Sequence, residues 1–254
     1  MIEEYGLRGR VVIITGATGS IGSAIATEFY NQGAQVVLTG RRHDKLEKLS
    51  INLTAHQTKH QLTPLCVPLD LTATDADKTL VSAAIEKFDR LDIVINNAGD
   101  INGYMFLKTT PEILNHIMHL NFSVPYNICR TALPHMLRGK YGRIINITSI
   151  AGYFGDAGMS AYAASKGGLA SATKSIATEY GRRNITANCI APGIIDTPQI
   201  QKIPAERRKE LRNLTPMHRF GKPEEVAHLA AFLASERAAF INGQQIHING
   251  GIIR

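Results

Sequence analysis

From Arg10 onward, short runs of β-branched and aliphatic residues alternate with longer stretches whose apolar positions return every three or four residues. A strand buried on both faces needs no polar alternation, whereas an amphipathic helix needs a single apolar stripe, so the pattern predicts a parallel sheet wrapped by helices. Seven strands are predicted: Val11 to Thr15, Gln35 to Thr39, Pro64 to Leu69, Leu91 to Ile95, Arg143 to Thr148, Ile185 to Ile190 and Gln244 to Ile248. Ile21, Ile25 and Phe29 form one core-facing helical stripe, Leu46, Leu49 and Leu53 a second, and Leu169, Thr173, Ile176 and Tyr180 a third. Between Gly193 and Pro223 the pattern gives way to a polar segment spaced by Pro198, Pro204 and Pro216 around a short charged helix. That length suits a mobile lid over a substrate.

Composition narrows the classes. With 254 residues, 44% hydrophobic and 19% charged, the chain can bury a large core, and a single α/β domain over 1–254 absorbs that length. A net charge of +7 permits an acidic partner. Trp is absent and the aromatic residues are scattered, so no stacking platform for nucleic-acid bases is predicted. Cys66, Cys129 and Cys189 stand far apart and outside any CxxC spacing, which suggests neither disulfides nor a metal site. Met1-Ile2-Glu3-Glu4 lacks the basic-then-apolar order of a signal peptide, and the longest apolar run, Leu229 to Ala234, is too short to cross a bilayer. A cytoplasmic protein without membrane contact is expected.

The first strand runs into Thr15-Gly16-Ala17-Thr18-Gly19-Ser20-Ile21-Gly22 and then a helix, where glycines let backbone approach a pyrophosphate at the helix N-terminus. An unliganded tight turn needs glycine too. The second strand ends Leu38-Thr39-Gly40-Arg41-Arg42, with arginines where an acidic residue would hold the ribose 2′-hydroxyl of NAD. Guanidinium pairs with a 2′-phosphate, which favours NADP(H), although two arginines opening a helix also suit a solvated face. Ser149 is followed thirteen and seventeen residues later by Tyr162 and Lys166, which lie four apart and so share a helix face. A lysine ammonium there is expected to lower the phenol pKa below its ordinary value near 10.

In their order and spacing, TGxxxGxG, Asn96-Asn97-Ala98-Gly99, Ser149, YxxxK and Pro192-Gly193 resemble the short-chain dehydrogenase/reductase family over nearly the whole chain. The resemblance implies a Rossmann-like, doubly wound seven-stranded parallel sheet with helices on both faces, and a nicotinamide cofactor. It implies a catalytic group of Asn121, Ser149, Tyr162 and Lys166. Tyr162 would protonate the substrate oxygen, Ser149 hold that oxygen, Lys166 also bind the nicotinamide ribose, and Asn121 anchor a water in the proton relay. The cofactor positions it implies are Gly16, Thr18, Gly19, Ser20, Ile21 and Gly22 in the turn, with Arg41, Arg42, Asp70 and Leu71 beyond the second and third strands. Asn97, Ala98 and Gly99, then Pro192, Gly193, Ile195 and Thr197, complete them beside Tyr162 and Lys166. Asp70, closing the third strand, matches an adenine contact. Asn96 and Asn97 also suit the satisfying of backbone groups where strand meets helix. Ser20 stands where the family has its middle glycine, so the tight turn is expected to be displaced by one residue.

Gly142-Arg143-Ile144-Ile145-Asn146-Ile147, Phe220-Gly221-Lys222-Pro223-Glu224-Glu225 and His247-Ile248-Asn249-Gly250-Gly251 resemble 3-oxoacyl-acyl-carrier-protein reductases. Sugar, polyol, steroid and acetoacetyl-CoA dehydrogenases share similar stretches, and a non-catalytic NADP-binding sensor is the alternative of another class. A sensor has no need of the complete catalytic group. Lys140 and Arg183 are expected on a basic active-site rim that docks the acidic carrier. The resemblance also implies a homotetramer in which the long helices following Pro111 and Met159 pack against their copies, with the C-terminal strand at a second interface.

Overall fold

The apolar runs become strands covered on both faces. A computed structural model describes residues 5–55 and 62–252; Met1, Ile2, Glu3 and Glu4, which carried the reading of the N-terminus, lie outside them. The strands are β1 (Val11–Thr15), β2 (Gln35–Gly40), β3 (Leu65–Pro68), β4 (Ile93–Asn96), β5 (Gly142–Ile147), β6 (Ile185–Pro192) and β7 (Gln245–Ile248). They pair in parallel in the order β3-β2-β1-β4-β5-β6-β7. All seven expected strands form, with their ends moved by at most two residues. Asp70 does not close the third strand: it lies beyond Pro68, although Leu69 still donates its amide to the Gly40 carbonyl.

The helices are α1 (Ser20–Asn31), α2 (His43–Thr54), α3 (Ala76–Phe88), α4 (Pro111–Met118), α5 (Val124–Gly139), α6 (Ala151–Phe154), α7 (Ser160–Tyr180), α8 (Pro198–Gln201), α9 (Ala205–Asn213) and α10 (Pro223–Ala234). β1 shows how the period-two geometry serves two cores. Val12 and Ile14 pack with Ile25 and Phe29 of α1, Leu46 of α2 and Ala230 of α10. Val11 and Ile13 face the opposite layer, with Leu80 of α3, Ile128 of α5 and Ala177 of α7. The chain winds outward from β1 to β3 and then returns to β4 on the other side of β1, so a crevice opens where the C-terminal ends of β1 and β4 diverge. Among the described residues, no helix is long and apolar enough to cross a membrane.

The expected long helix after Pro111 is interrupted. A π-helical turn, His119–Ser123, joins α4 to α5, and the Val124 amide bonds the His119 carbonyl five residues back. Pro125 has no amide hydrogen for the Asn121 carbonyl four residues before it, which leaves the ladder free to slip there. At the opposite, N-terminal edge of the sheet, fully buried Arg143 lies with its guanidinium 4.1 Å from the centre of the Tyr141 ring, and Arg10 covers the same ring at 3.6 Å. The Tyr141 hydroxyl donates to the Ala234 carbonyl at 2.9 Å, and Arg143 reaches Glu236 at 3.4 Å.

Candidate active site

Two adjoining cavities occupy the crevice. The first, of about 670 Å³, is lined by Gly16, Thr18, Gly19, Arg41, Arg42 and Asp70, with Leu71 and Ala98 completing its floor. The second, of about 620 Å³, holds Ser149, Tyr162, Lys166, Pro192, Gly193 and Thr197, and Ile21, Asn97 and Ile195 also line it. Gly99, Asp100 and Gln199 line both, so a long ligand can lie across the two.

The β1–α1 turn is built for close approach. Gly16 has φ +63°, and a Cβ there would stand 2.9 Å from the Ala98 Cα. A Cβ on Gly22 would stand 2.2 Å from the Gly16 carbonyl oxygen, so α1 can press against the turn only without one. Gly19 caps α1 in an extended conformation, and Ser20 is the first helical residue. The positive-φ position therefore stays at Gly16 and is not displaced; Ser20, at an ordinary helical position, tolerates its side chain. Ser20 itself lines a separate groove with Ser23 and His228 rather than either cavity. Asn97 fastens the turn to β4: its side-chain amide donates to the Thr15 and Gly16 carbonyls at 3.1 and 3.2 Å, while its backbone N–H and that of Ala98 donate to Thr15 Oγ1, both at 2.9 Å. Asp70 accepts from the Thr72 amide and hydroxyl, and these bonds hold its carboxyl below the usual range.

Ser149 follows β5 at the C-terminal edge, and the first turns of α7 present Tyr162 and Lys166 to it. Lys166 Nζ donates to the Ile147 carbonyl at 2.9 Å and lies 5.8 Å from the centre of the Tyr162 ring. Burial pushes the Lys166 ammonium down to about 8. The expected lowering of the Tyr162 phenol is not what the fold produces. Burial raises it, a hydrogen bond with Ser149 pulls it back, and the nearby Asp100 carboxylate raises it further. Desolvation of the phenolate is the largest of these effects. Tyr162 is thus held protonated at neutral pH, a state from which it can donate.

Asn121 is fully buried and does not line either cavity. The π turn aims its side chain at Asp100, whose amide donates to Asn121 Oδ1 and whose carbonyl accepts from Nδ2, both at 2.8 Å. Gly22 likewise acts from below the turn. Lys140 and Arg183 depart from expectation. Lys140 ends α5, Arg183 follows α7, and the Asn184 side chain joins them through the Lys140 carbonyl at the edge where β5 and β6 begin. Ser149 and Tyr162 lie where those strands end, and the 21-residue α7 separates the two edges by roughly 30 Å at about 1.5 Å per residue. Within one chain these residues are not an active-site rim.

Sequence reasoning passed over Asp100, Gln199 and His116, which line the cavities, and Ile200, Ile203 and Leu211, which reach the second from the segment after β6. The place of Asp100 directly after Asn96-Asn97-Ala98-Gly99 was the one available signal. The 193–223 segment is pinned at its neck, where Asp196 donates to the Gly221 carbonyl at 2.8 Å and Gly221 to the Ile194 carbonyl at 2.9 Å. α8 and α9 lie beyond that neck.

Comparison with known proteins fits this geometry. The family model described as enoyl-(acyl carrier protein) reductase matches residues 16–253. Nodulation protein G of Rhizobium meliloti is 38% identical over 248 residues, 98% of each chain. The 3-oxoacyl-[acyl-carrier-protein] reductase FabG of Thermotoga maritima is 34% identical over 247 residues, 97% of this chain and 99% of the relative. The protein of the same name from Rickettsia bellii is 37% identical over 247 residues, 97% of this chain and 98% of the relative.

Proposed function

The chain belongs to the short-chain dehydrogenase/reductase family of oxidoreductases, and from that premise we propose that it is an NADP(H)-dependent reductase of 3-oxoacyl chains carried on acyl carrier protein. The observation that carries this reading is the meeting of Ser149, Tyr162 and Lys166 in a cavity continuous with one bordered by Arg41 and Arg42. The cofactor fits the residues present. The glycine turn brings backbone to the crevice without Cβ atoms, and the first-turn amides of α1 have no helical acceptor, which suits a pyrophosphate. Arg41 and Arg42 are exposed at the end of β2, where a 2′-phosphate would sit, with Asp70 on the adenine side. Ile21, Leu71, Asn97, Ala98, Gly193, Ile195 and Thr197 line the rest of the two cavities and would complete the contacts.

When bound, the reduced nicotinamide supplies a hydride to the carbonyl carbon. Ser149 donates a hydrogen bond to the substrate oxygen, and Tyr162 gives that oxygen its phenolic proton, so ketone, hydride and proton balance to a secondary alcohol. Lys166 and Asn121 serve proton return to Tyr162 from solvent. The 193–223 segment closes over the substrate through Ile200 and Ile203.

Lys140 and Arg183 enter this proposal across a dimer. Tyr126 is 44% exposed on α5, and it forms a groove with Leu133, Ile176 and Tyr180 between α5 and α7. A second copy packed there antiparallel about a twofold axis brings the two basic residues to the partner's Tyr162, and the carrier's arm then enters the partner's cavity. A homotetramer in the cytoplasm extends this reading. The test is NADPH oxidation by 3-oxoacyl, 2-enoyl, sugar and steroid substrates. Turnover of the 3-oxoacyl thioester is expected; reduction of the 2-enoyl thioester alone, or of sugars alone, overturns the assignment, and no turnover of any ketone favours the sensor.

A further inference from the structure

β4 and β5 carry isoleucine and valine toward their C-terminal ends, where one rank across the sheet turns polar. Asn96 of β4 pairs in register with Asn146 of β5, and Asn146 with Cys189 of β6, so the three stand side by side on one face of the sheet. All three are buried. Asn96 Nδ2 donates to Asn146 Oδ1 at 2.8 Å, Asn146 Nδ2 to Thr173 Oγ1 of α7 at 2.8 Å, and the Thr173 hydroxyl to the Leu169 carbonyl at 2.7 Å. The Cys189 thiol donates to the same Thr173 oxygen at 3.3 Å, which fills the hydroxyl's capacity as donor and acceptor. At the other end of the rank, Asn96 Nδ2 reaches Cys129 Sγ of α5 at 3.2 Å and the Pro125 carbonyl at 3.4 Å.

The rank thus ties α5 to α7 through the sheet, below the cavity. Pro125 and Cys129 follow the π turn that carries Asn121, and Thr173 lies seven residues after Lys166, two turns along the same buried face of α7. β5 grips α7 at both points: the Asn146 side chain holds Thr173, and the Ile147 carbonyl holds Lys166 Nζ at 2.9 Å. Ser149 follows two residues later on the same strand. Cys189 is close enough to Lys166 for each to shift the other's titration. Amides and a hydroxyl in a dry layer require all of these bonds, whereas apolar side chains would pack there without any. What the bonds add is a fixed distance between strand and helix.

We propose that Asn146 and Thr173 are positioning residues that set the depth of α7 against β5, and with it the reach of Tyr162 and Lys166 toward Ser149. The effect on turnover rests on the reductase reading; the placement of Lys166 does not. Without the Thr173 oxygen, the Asn146 N–H faces a methyl group, and α7 moves outward or water enters. Either response lengthens the contacts at Tyr162 and hydrates Lys166, whose ammonium then titrates closer to 10.5 than to about 8.

The test reads both consequences, with NADPH oxidation by ethyl 3-oxobutanoate for turnover and ¹³Cε NMR of labelled lysine for the Lys166 titration, its signal identified by its loss in Lys166→Met. Thr173→Val is expected to lower kcat about tenfold at little change in KM, and to raise the Lys166 pKa. Thr173→Ser, which keeps the hydroxyl, should restore both. Asn146→Leu breaks the same chain from the strand side and should match the valine variant, with the double variant no worse than the poorer single. A lower urea midpoint in Thr173→Val with kcat and the Lys166 titration both unchanged would show a merely structural contact and overturn the proposal, as would losses that multiply in the double variant. Failure of the reductase reading shows separately, as an absence of NADPH oxidation in wild type, and the Lys166 titration then decides the positioning alone.

Discussion

Replacing Lys166 with Met should stabilise the protein at pH 7, by an amount that disappears in alkali. In the folded state burial lowers the ammonium from 10.5 to about 8. At about 1.4 kcal/mol per pH unit, the charged form is disfavoured on folding by about 3 kcal/mol. The sign follows from proton counting. Between pH 8 and 10.5 the unfolded chain holds a proton on this lysine that the folded chain has released, so wild-type stability rises with pH through that window. Below pH 8 the full penalty is present; above 10.5 it is gone, because both states are neutral. Lys166→Met has no such term, so its stability relative to wild type should fall by about 2–3 kcal/mol between pH 7 and pH 10. Urea unfolding of both proteins at each pH, at one protein concentration, measures the difference and cancels the titrating groups that Lys166 does not touch; buried Cys189, which is coupled to it, is the exception. A gap that does not move with pH would refute the argument, since it would mean the ammonium is as well solvated in the fold as in the unfolded chain. The variant should also lose turnover, so that the residue proposed for catalysis is one that costs stability.

Arg41→Ala should reduce the preference for NADPH over NADH by roughly ten- to a hundredfold, the worth of a charge-assisted contact, in a fluorescence titration. Tyr162→Phe should keep cofactor affinity and fold while kcat falls at least about 100-fold; a small loss would assign proton transfer elsewhere. Tyr141→Phe removes the bond to the Ala234 carbonyl but leaves the ring between Arg10 and Arg143, so it should cost about 1–3 kcal/mol, read as a lower urea midpoint at unchanged slope.

Periodicity alone determined most of the architecture. Unbroken apolar runs can lie only where both faces are covered, and Val11 to Ile14 divide between two cores as a two-residue period requires. Spacing of four put Tyr162 and Lys166 on one helix face, and Gly16 and Gly22 were legible because no other residue fits against Ala98 and the Gly16 carbonyl. What the pattern could not carry was depth and direction along the sheet. Lys140 and Arg183 belong to the elements that carry Ser149 and Tyr162, yet a strand and a helix each have two ends, and the parallel crossovers put theirs at the far edge. The π turn at Asn121 and its grip on Asp100 join residues 21 apart through a loop whose course no local period records. The sign of the Tyr162 shift was decided by burial, a sum over every element packed around the ring that the four-residue spacing to Lys166 does not record.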